Sequence, residues 1–177
     1  MRNVEIKARL DAENAKTVEE ICCQITGEKA TILKQIDTFF QSANGRLKLR
    51  QLESHAELIY YERSDQAGPK LSTFNIHRVA LPEAPNLCTM LSSAMGARGT
   101  VEKQRKLWLV GQTRVHLDHV TSLGWFMELE VVLTEHQGTD EGETIAGELM
   151  ERLGIQKSQL ISSAYIDLIE AASTKGT

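Results

Sequence analysis

Three pairs of like charges stand two residues apart, in segments where polar and apolar residues alternate. Two pairs are basic and one is acidic: Lys48 and Arg50, Lys103 and Arg105, and Glu128 and Glu130. Residues two apart on a strand share a face, so each pair sets like charges side by side. A ligand with several phosphates and a divalent cation would relieve this repulsion, because Lys and Arg bind phosphate oxygens and carboxylates bind Mg²⁺ or Mn²⁺.

A solvated strand face is the simpler interpretation of any single pair, since antiparallel sheets often expose one polar face to water. The set as a whole favours an enclosed site, because ordinary protein surfaces mix charges of both signs. The segment TRVHLDHV follows the same pattern, with Arg114, His116 and Asp118 on one face and Val115 and Leu117 on the other. From this position His116 could contact a substrate, transfer a proton or make a structural hydrogen bond.

Hydrophobic periodicity predicts the elements that must position these residues. Strand-like alternation occurs in NVEIKARL (3–10) and in two runs within 31–53 that an Asn-Gly turn at 44–45 separates. Further strands are expected at 56–65, 71–81, 100–110, 113–120 and 125–134. Helical spacing and helix-end residues predict helices at 11–27, 83–96, 140–154 and 158–172. Helices on the apolar outer faces would leave the charged faces inside, as in a closed barrel.

The composition excludes several classes of protein. The 177 residues have a hydrophobic fraction of 41% and a net charge of −4, so no basic field favours a nucleic acid as partner. No apolar run approaches the roughly 20 residues that span a bilayer, which argues against a membrane partner. Three cysteines without a metal-binding spacing indicate a reducing compartment, and we expect the cytoplasm.

The order of these charged segments resembles the CYTH family, the triphosphate tunnel metalloenzymes, and within it the group of class IV adenylyl cyclases and small triphosphatases. The family signature ExExK on the first strand corresponds here to Asn3, Glu5 and Lys7. The other matching segments, in chain order, are GRLKLR, YYERSD, GPKLS, VEKQRKLW, TRVHLDHV, MELEVVL and AYIDLI. The resemblance covers nearly the whole chain, so we expect residues 3–172 to form a single CYTH-like domain.

The resemblance implies an α+β fold, in which an eight-stranded antiparallel β-barrel forms a triphosphate tunnel surrounded by helices. It implies Mg²⁺ or Mn²⁺ as cofactor, with the metal ligands Glu5, Asp118, Glu128 and Glu130. It implies catalytic roles for Glu5, Lys7, Glu128 and Glu130. The substrate-binding residues that it implies are Lys7, Lys48, Arg50, Arg63, Lys70, Lys103, Arg105 and Arg114.

One departure from the signature concerns the metal site. Asn3 stands where the family has the first Glu of ExExK. Its amide can still offer one oxygen to a metal, but the exchange removes a negative charge. We expect the remaining carboxylates to keep a metal site in place.

Two reactions fit such a tunnel. The group with the nearest resemblance favours cyclisation of ATP to cyclic AMP and pyrophosphate, and the alternative is hydrolysis of inorganic, thiamine or nucleoside triphosphate. A third hypothesis is a non-catalytic binder of polyphosphate or nucleotides, against which the four carboxylates argue. No residue pattern decides whether the chain forms a homodimer.

Overall fold

The expected strands form one closed antiparallel barrel in a computed structural model that describes residues 1–174. The strands are β1 (Arg2–Leu10), β2 (Thr31–Phe40), β3 (Arg46–Gln51), β4 (Ala56–Arg63), β5 (Lys70–Val79), β6 (Ala97–Val110), β7 (Thr113–Val120) and β8 (Gly124–Val132). They follow one another around the barrel in the order β1-β5-β4-β3-β2-β6-β7-β8. The predicted eight-stranded antiparallel barrel is therefore confirmed.

The first strand illustrates why the barrel wall has two chemically different faces. Val4, Ile6 and Ala8 are fully buried in the core between the wall and the helices. Glu5 and Lys7 are also buried, but they line the barrel interior. Because successive side chains of a strand point to opposite sides, the apolar face binds the helices and the polar face lines a cavity.

Four α-helices of the described chain pack against the barrel: α1 (Ala12–Thr26), α2 (Ala84–Met95), α3 (Thr139–Arg152) and α4 (Tyr165–Thr174). The side chain of Asp11 begins α1 by accepting a hydrogen bond of 2.7 Å from the backbone N of Asn14, and Gly27 ends it with a φ of 70°. None of the helices in residues 1–174 has the length and apolar character needed to cross a membrane.

The Asn-Gly turn lies in the loop between β2 and β3, and the predicted hairpin is confirmed. Phe40 of β2 pairs with Leu47 of β3 on either side of this loop. Gly45 has a φ of 56°, and a Cβ at this position would lie 2.6 Å from the backbone oxygen of Tyr61. Both the left-handed backbone and the lack of space therefore require glycine here.

The predicted helix at 158–172 is wrong in its first half. A short 3₁₀-helix at Lys157–Gln159 is followed by extended chain, and α4 begins only at Tyr165. Leu160 in the extended part forms an antiparallel bridge with Ala8 of β1.

Backbone hydrogen bonds to the barrel explain this extended segment. The N–H of Ile161 donates to the backbone oxygen of Lys7 at 3.0 Å. Amphipathic spacing in a sequence contains no information about such tertiary hydrogen bonds. These bonds override the local preference of the segment for a helix. As a result, the segment crosses one end of the barrel and delivers Tyr165 to the interior.

Candidate active site in the barrel interior

The inward faces of the strands enclose a cavity of about 780 Å³, including the space that is continuous with solvent. Seven basic side chains and four carboxylates line it, together with aromatic and aliphatic residues. The residues with predicted site roles that line this cavity are Glu5, Lys7, Lys48, Arg50, Arg63, Lys103, Arg105, Arg114, Glu128 and Glu130. Its size is that of a small-molecule site.

The register of β1, β8 and β7 arranges the charged side chains in layers. The mouth layer contains Glu5, Glu130 and Arg114, and the middle layer contains Lys7, Glu128 and His116. The side chain of Arg114 is 39% exposed and that of Glu130 is 19% exposed, whereas Lys7 and Glu128 are nearly inaccessible. The difference in exposure identifies the open end of the barrel.

Tyr165 forms the floor of the cavity at the opposite end. Its ring lies 4.9 Å from the ring of Phe126, measured between centroids. Nζ of Lys7 lies 4.1 Å from the ring centroid of Tyr165, and Nζ of Lys103 lies 5.0 Å from it. Two ammonium groups thus meet an aromatic face at the deepest point of the site.

Asp118 lies beneath this floor and has no exposed surface. It accepts hydrogen bonds from Nε of Arg105 at 2.7 Å, from Nη2 of Arg105 at 2.6 Å and from the hydroxyl of Tyr165 at 3.0 Å. Burial alone would raise the pKa of Asp118, but Arg105 and Lys103 reverse the shift and lower it to about 2. Asp118 is therefore an ionised anchor for Arg105 and does not line the cavity.

Glu128, Glu130 and His116 form the group of potential metal ligands in the described part of the chain, with ligand atoms all within 4.8 Å of one another. Oε1 of Glu128 contacts Nζ of Lys7 at 2.8 Å, and Oε2 of Glu130 contacts Nη1 of Arg114 at 3.4 Å. Two carboxylates and an imidazole are a donor set that fits a divalent cation.

Both carboxylates of this group are ionised. Burial would raise the pKa of Glu128, but Lys7 and Arg105 hold it well below its ordinary value. Burial opposes ionisation of Glu130 as well, and its pKa is nevertheless lowered, mainly by His116 and Arg105. The pair can therefore offer two negative charges to a cation.

Asp37 is a buried carboxylate that holds three cations on the opposite wall. It accepts hydrogen bonds from Nζ of Lys48 at 2.8 Å and from Nε and Nη2 of Arg50 at 2.8 and 2.9 Å. Nζ of Lys103 lies 3.9 Å away. Burial raises the pKa of Asp37, but these cations together hold it well below the ordinary value. Asp37 thus aligns the basic side chains before any ligand arrives.

The remaining predicted residues have protein partners of their own. A guanidinium N–H of Arg63 donates to the carboxylate of Glu5. Nζ of Lys70 donates to the backbone oxygens of Gln66 at 3.1 Å and Ile161 at 3.3 Å, so Lys70 secures the chain around the floor and does not line the cavity. Among the four predicted metal ligands, only Glu128 and Glu130 share one cluster.

Two lysines of the site, Lys48 and Lys103, have a lowered pKa. Burial lowers the pKa of Lys48 to about 7, with a further contribution from Arg50 that Asp37 only partly offsets. Burial likewise lowers the pKa of Lys103, and the neighbouring Arg105 adds to the shift. Both shifts arise from burial next to other cations, and a bound polyanion would oppose them.

The CYTH domain family model matches residues 1–165. The chain belongs to the CYTH domain family. A comparison with curated proteins finds no match to this chain.

Solved structures show the same fold at low sequence identity. A Pyrococcus horikoshii protein is 20% identical, with a TM-score of 0.77 over 94% of this chain and 98% of that one. A candidate adenylate cyclase from Vibrio parahaemolyticus is 15% identical, with a TM-score of 0.71 over 95% and 97%. A candidate adenylyl cyclase from Hippeastrum, described as having a dominant triphosphatase activity, is 14% identical, with a TM-score of 0.61 over 96% of each chain.

Two residues of this CYTH interior were missed by the sequence analysis. Asp37 stands on the inward face of β2 between Gln35 and Phe39, so it belongs to no pair of like charges. Sorting the faces of β2 could have found it. Tyr165 could not have been assigned, because its position depends on the extended segment that precedes α4.

Proposed function

We propose that the chain is a divalent-metal-dependent enzyme that acts on a nucleoside triphosphate, and that it forms a cyclic nucleotide and pyrophosphate as class IV adenylyl cyclases do. The order of charges with depth is the observation that supports this most. Glu128 and Glu130 belong to the middle and mouth layers, whereas Lys103 and Arg105 lie next to the floor. A triphosphate is therefore most favourable with its terminal phosphates deepest and its α-phosphate beside the carboxylates.

An apolar wall supports an organic group at the mouth. Ile59, Phe74 and Ile76 on β4 and β5 line the same cavity, and Ile76 is partly exposed to solvent. A base or sugar could pack there while the phosphates extend inward. Inorganic triphosphate would leave this wall without a partner.

The reaction follows from this orientation. The ribose 3′-hydroxyl attacks the α-phosphorus, the bond from that phosphorus to the bridging oxygen breaks, and pyrophosphate leaves toward the floor. Lys103 and Arg105 stabilise the charge that develops on the leaving group, and Asp37 and Asp118 keep these and neighbouring cations in place. A divalent cation held by Glu128 and Glu130 would neutralise phosphate charge and lower the pKa of the attacking hydroxyl.

Hydrolysis of the terminal phosphate is the second candidate. It is favoured by the Hippeastrum protein of the same fold, which has a dominant triphosphatase activity. It also needs only water as nucleophile, so the site would not have to position a ribose. For this reaction the terminal phosphate, and not the α-phosphate, would have to lie beside Glu128 and Glu130.

A product assay on the purified protein distinguishes the candidates. ATP, inorganic triphosphate and thiamine triphosphate are each incubated with Mg²⁺ or Mn²⁺, and cyclic AMP, pyrophosphate and orthophosphate are measured separately. Cyclic AMP with an equal amount of pyrophosphate supports the proposal. Orthophosphate without cyclic nucleotide supports hydrolysis, and a rise in melting temperature without any product supports a binding protein. The same assay on Glu128→Gln/Glu130→Gln excludes a contaminating enzyme.

A further inference from the structure

His116 has a buried ring nitrogen that no protein group satisfies. The residue is 4% exposed, and its Nδ1 has no hydrogen-bond partner in the described chain. Oε2 of Glu128 and Oε1 of Glu130 each lie 3.8 Å from this nitrogen, beyond hydrogen-bond distance. A buried unpaired nitrogen between two carboxylates is costly unless something binds there.

Protein cations contact most carboxylate oxygens of the interior, including both oxygens of Glu128, which bind Lys7 and Arg105. Glu5 binds Arg63, Asp118 binds Arg105, and Asp37 binds Arg50. The free side of Glu130 is different, because Oε2 contacts Arg114 while Oε1 faces His116. Oε1 of Glu130 and Nδ1 of His116 therefore face each other without a hydrogen-bond donor among the described residues, and a carboxylate oxygen of Glu128 lies within 4.8 Å of both.

We propose that Nδ1 of His116 is a nitrogen ligand of the metal that Glu128 and Glu130 hold, and that the site selects a first-row transition-metal ion such as Mn²⁺ over Mg²⁺. Mg²⁺ prefers six oxygen ligands, whereas a mixed nitrogen and oxygen site binds first-row transition-metal ions, with an affinity that rises from Mn²⁺ to the later divalent metals. The inference rests on the proposed metal-dependent function, to which it adds one ligand and the class of metal.

The neutral side chain of Asn3 agrees with the assignment of His116 as a metal ligand. The amide of Asn3 lines the same cavity, and its Oδ1 is buried without a hydrogen-bond partner in residues 1–174. An interior with an amide at this position has one negative charge fewer to offer than it would have with Glu. A nitrogen donor that forms strong bonds to transition metals without adding charge maintains metal affinity under that condition.

Mn²⁺ binding measured by electron paramagnetic resonance tests the inference without relying on turnover. Mn²⁺ is titrated alone and with a methylene-bridged analogue of inorganic triphosphate, which contains no nitrogen. Electron spin-echo modulation of the wild-type complex should show a coordinated ¹⁴N. His116→Gln should lose this signal and bind Mn²⁺ at least about tenfold more weakly, and the excess of Mg²⁺ needed to displace Mn²⁺ should fall by about the same factor.

His119→Gln is the matched control. His119 is exposed on the opposite face of β7, with its ring 4.7 Å from that of Trp125, and its replacement should leave the nitrogen signal and the affinity unchanged. Bound Mn²⁺ without a ¹⁴N signal in the wild-type protein overturns the role of His116 but leaves the proposed function intact. Failure of Mn²⁺ to bind under either condition overturns the inference, and the product assay in Mg²⁺ then decides independently whether the proposed function stands.

Discussion

The hydroxyl of Tyr165 donates a hydrogen bond of 3.0 Å to Oδ2 of Asp118, and this bond joins the start of α4 to the floor of the barrel. The same carboxylate binds the guanidinium of Arg105 through both of its oxygens. The chain end, the deepest carboxylate and a predicted phosphate-binding residue therefore form one connected unit. Substitutions in this unit should lower the free energy of unfolding more than they lower the catalytic rate.

Tyr165→Phe should have a small effect and Tyr165→Ala a large one. The phenylalanine variant keeps the buried ring and its contacts with Lys7 and Phe126, and it loses one hydrogen bond, so the free energy of unfolding should fall by about 1 kcal/mol. The alanine variant opens the floor and should lose about 3–5 kcal/mol. Urea unfolding measures both. Equal losses in the two variants would show that the hydroxyl, and not the ring, carries the stabilisation.

Asp37→Asn should destabilise the free protein strongly because Lys48 and Arg50 lose their buried counter-charge. A loss of about 3–5 kcal/mol is typical when one partner of a buried ion pair is removed. Inorganic triphosphate should raise the melting temperature of this variant more than that of the wild type, since phosphates supply the missing charge.

The matched control for this change lies on the protein surface. Glu53→Gln removes the exposed partner of Lys34, whose Nζ lies 3.8 Å from the carboxylate, and should be nearly neutral. If the response of Asp37→Asn to inorganic triphosphate were no larger than that of this control, Asp37 would not hold phosphate-binding cations.

The faces of the strands could be predicted because a strand has a strict period of two. NVEIKARL, the basic pairs and the Glu128/Glu130 pair all have inward faces that a single strand already defines. The family resemblance added the barrel closure, which no local pattern contains. These residues line one cavity inside the barrel.

The partners of these residues could not be predicted, because they depend on the register between strands. Asp118 and His116 share a face of β7, yet Asp118 lies opposite Phe126 and His116 lies opposite Glu128. Two residues along the strand therefore separate a carboxylate that binds Arg105 from an imidazole that lies beside two carboxylates. The family resemblance implied a metal-binding role for Asp118, and the sequence left three roles open for His116.

Binding of a triphosphate at pH 8 should take up protons, largely through Lys48. Burial lowers the pKa of Lys48 from 10.5 to about 7, so the folded side chain is mostly neutral at that pH and a bound polyanion favours its charged form. Between these two pKa values the unfolded chain binds a proton that the folded chain lacks, so the Lys48 contribution makes the free energy of unfolding rise with pH across this window.

Calorimetry with inorganic triphosphate in two buffers of different ionisation enthalpy measures this uptake. Lys48→Met should reduce it by most of one proton, whereas Lys34→Met on the outer face of β2 should not change it. If proton uptake were unchanged in Lys48→Met, a residue other than Lys48 would be the group that takes up the proton.

Glu128→Gln/Glu130→Gln should abolish turnover and Mn²⁺ binding while the barrel stays folded. The amides keep the size of both side chains, but they remove the two negative charges that a divalent cation requires. Arg105 keeps both hydrogen bonds to Asp118, and the amide at position 128 still presents a carbonyl oxygen to Lys7, so circular dichroism should show the native strand content. Turnover at the wild-type rate in this variant would exclude these carboxylates as the metal site.

Arg114→Ala and Arg105→Ala should separate ligand binding from stability. Arg114 is half-exposed at the mouth and contacts only Glu130 among the described ion pairs, so its loss should cost less than about 1 kcal/mol of stability and weaken triphosphate binding about tenfold. Arg105 is buried between Asp118 and Glu128, and its loss should in addition lower the free energy of unfolding by about 3–5 kcal/mol. Urea unfolding and triphosphate titration of both variants provide the comparison. The layered arrangement would be contradicted if the mouth variant lost more stability than the floor variant, because burial of the ion pair is what distinguishes the two positions.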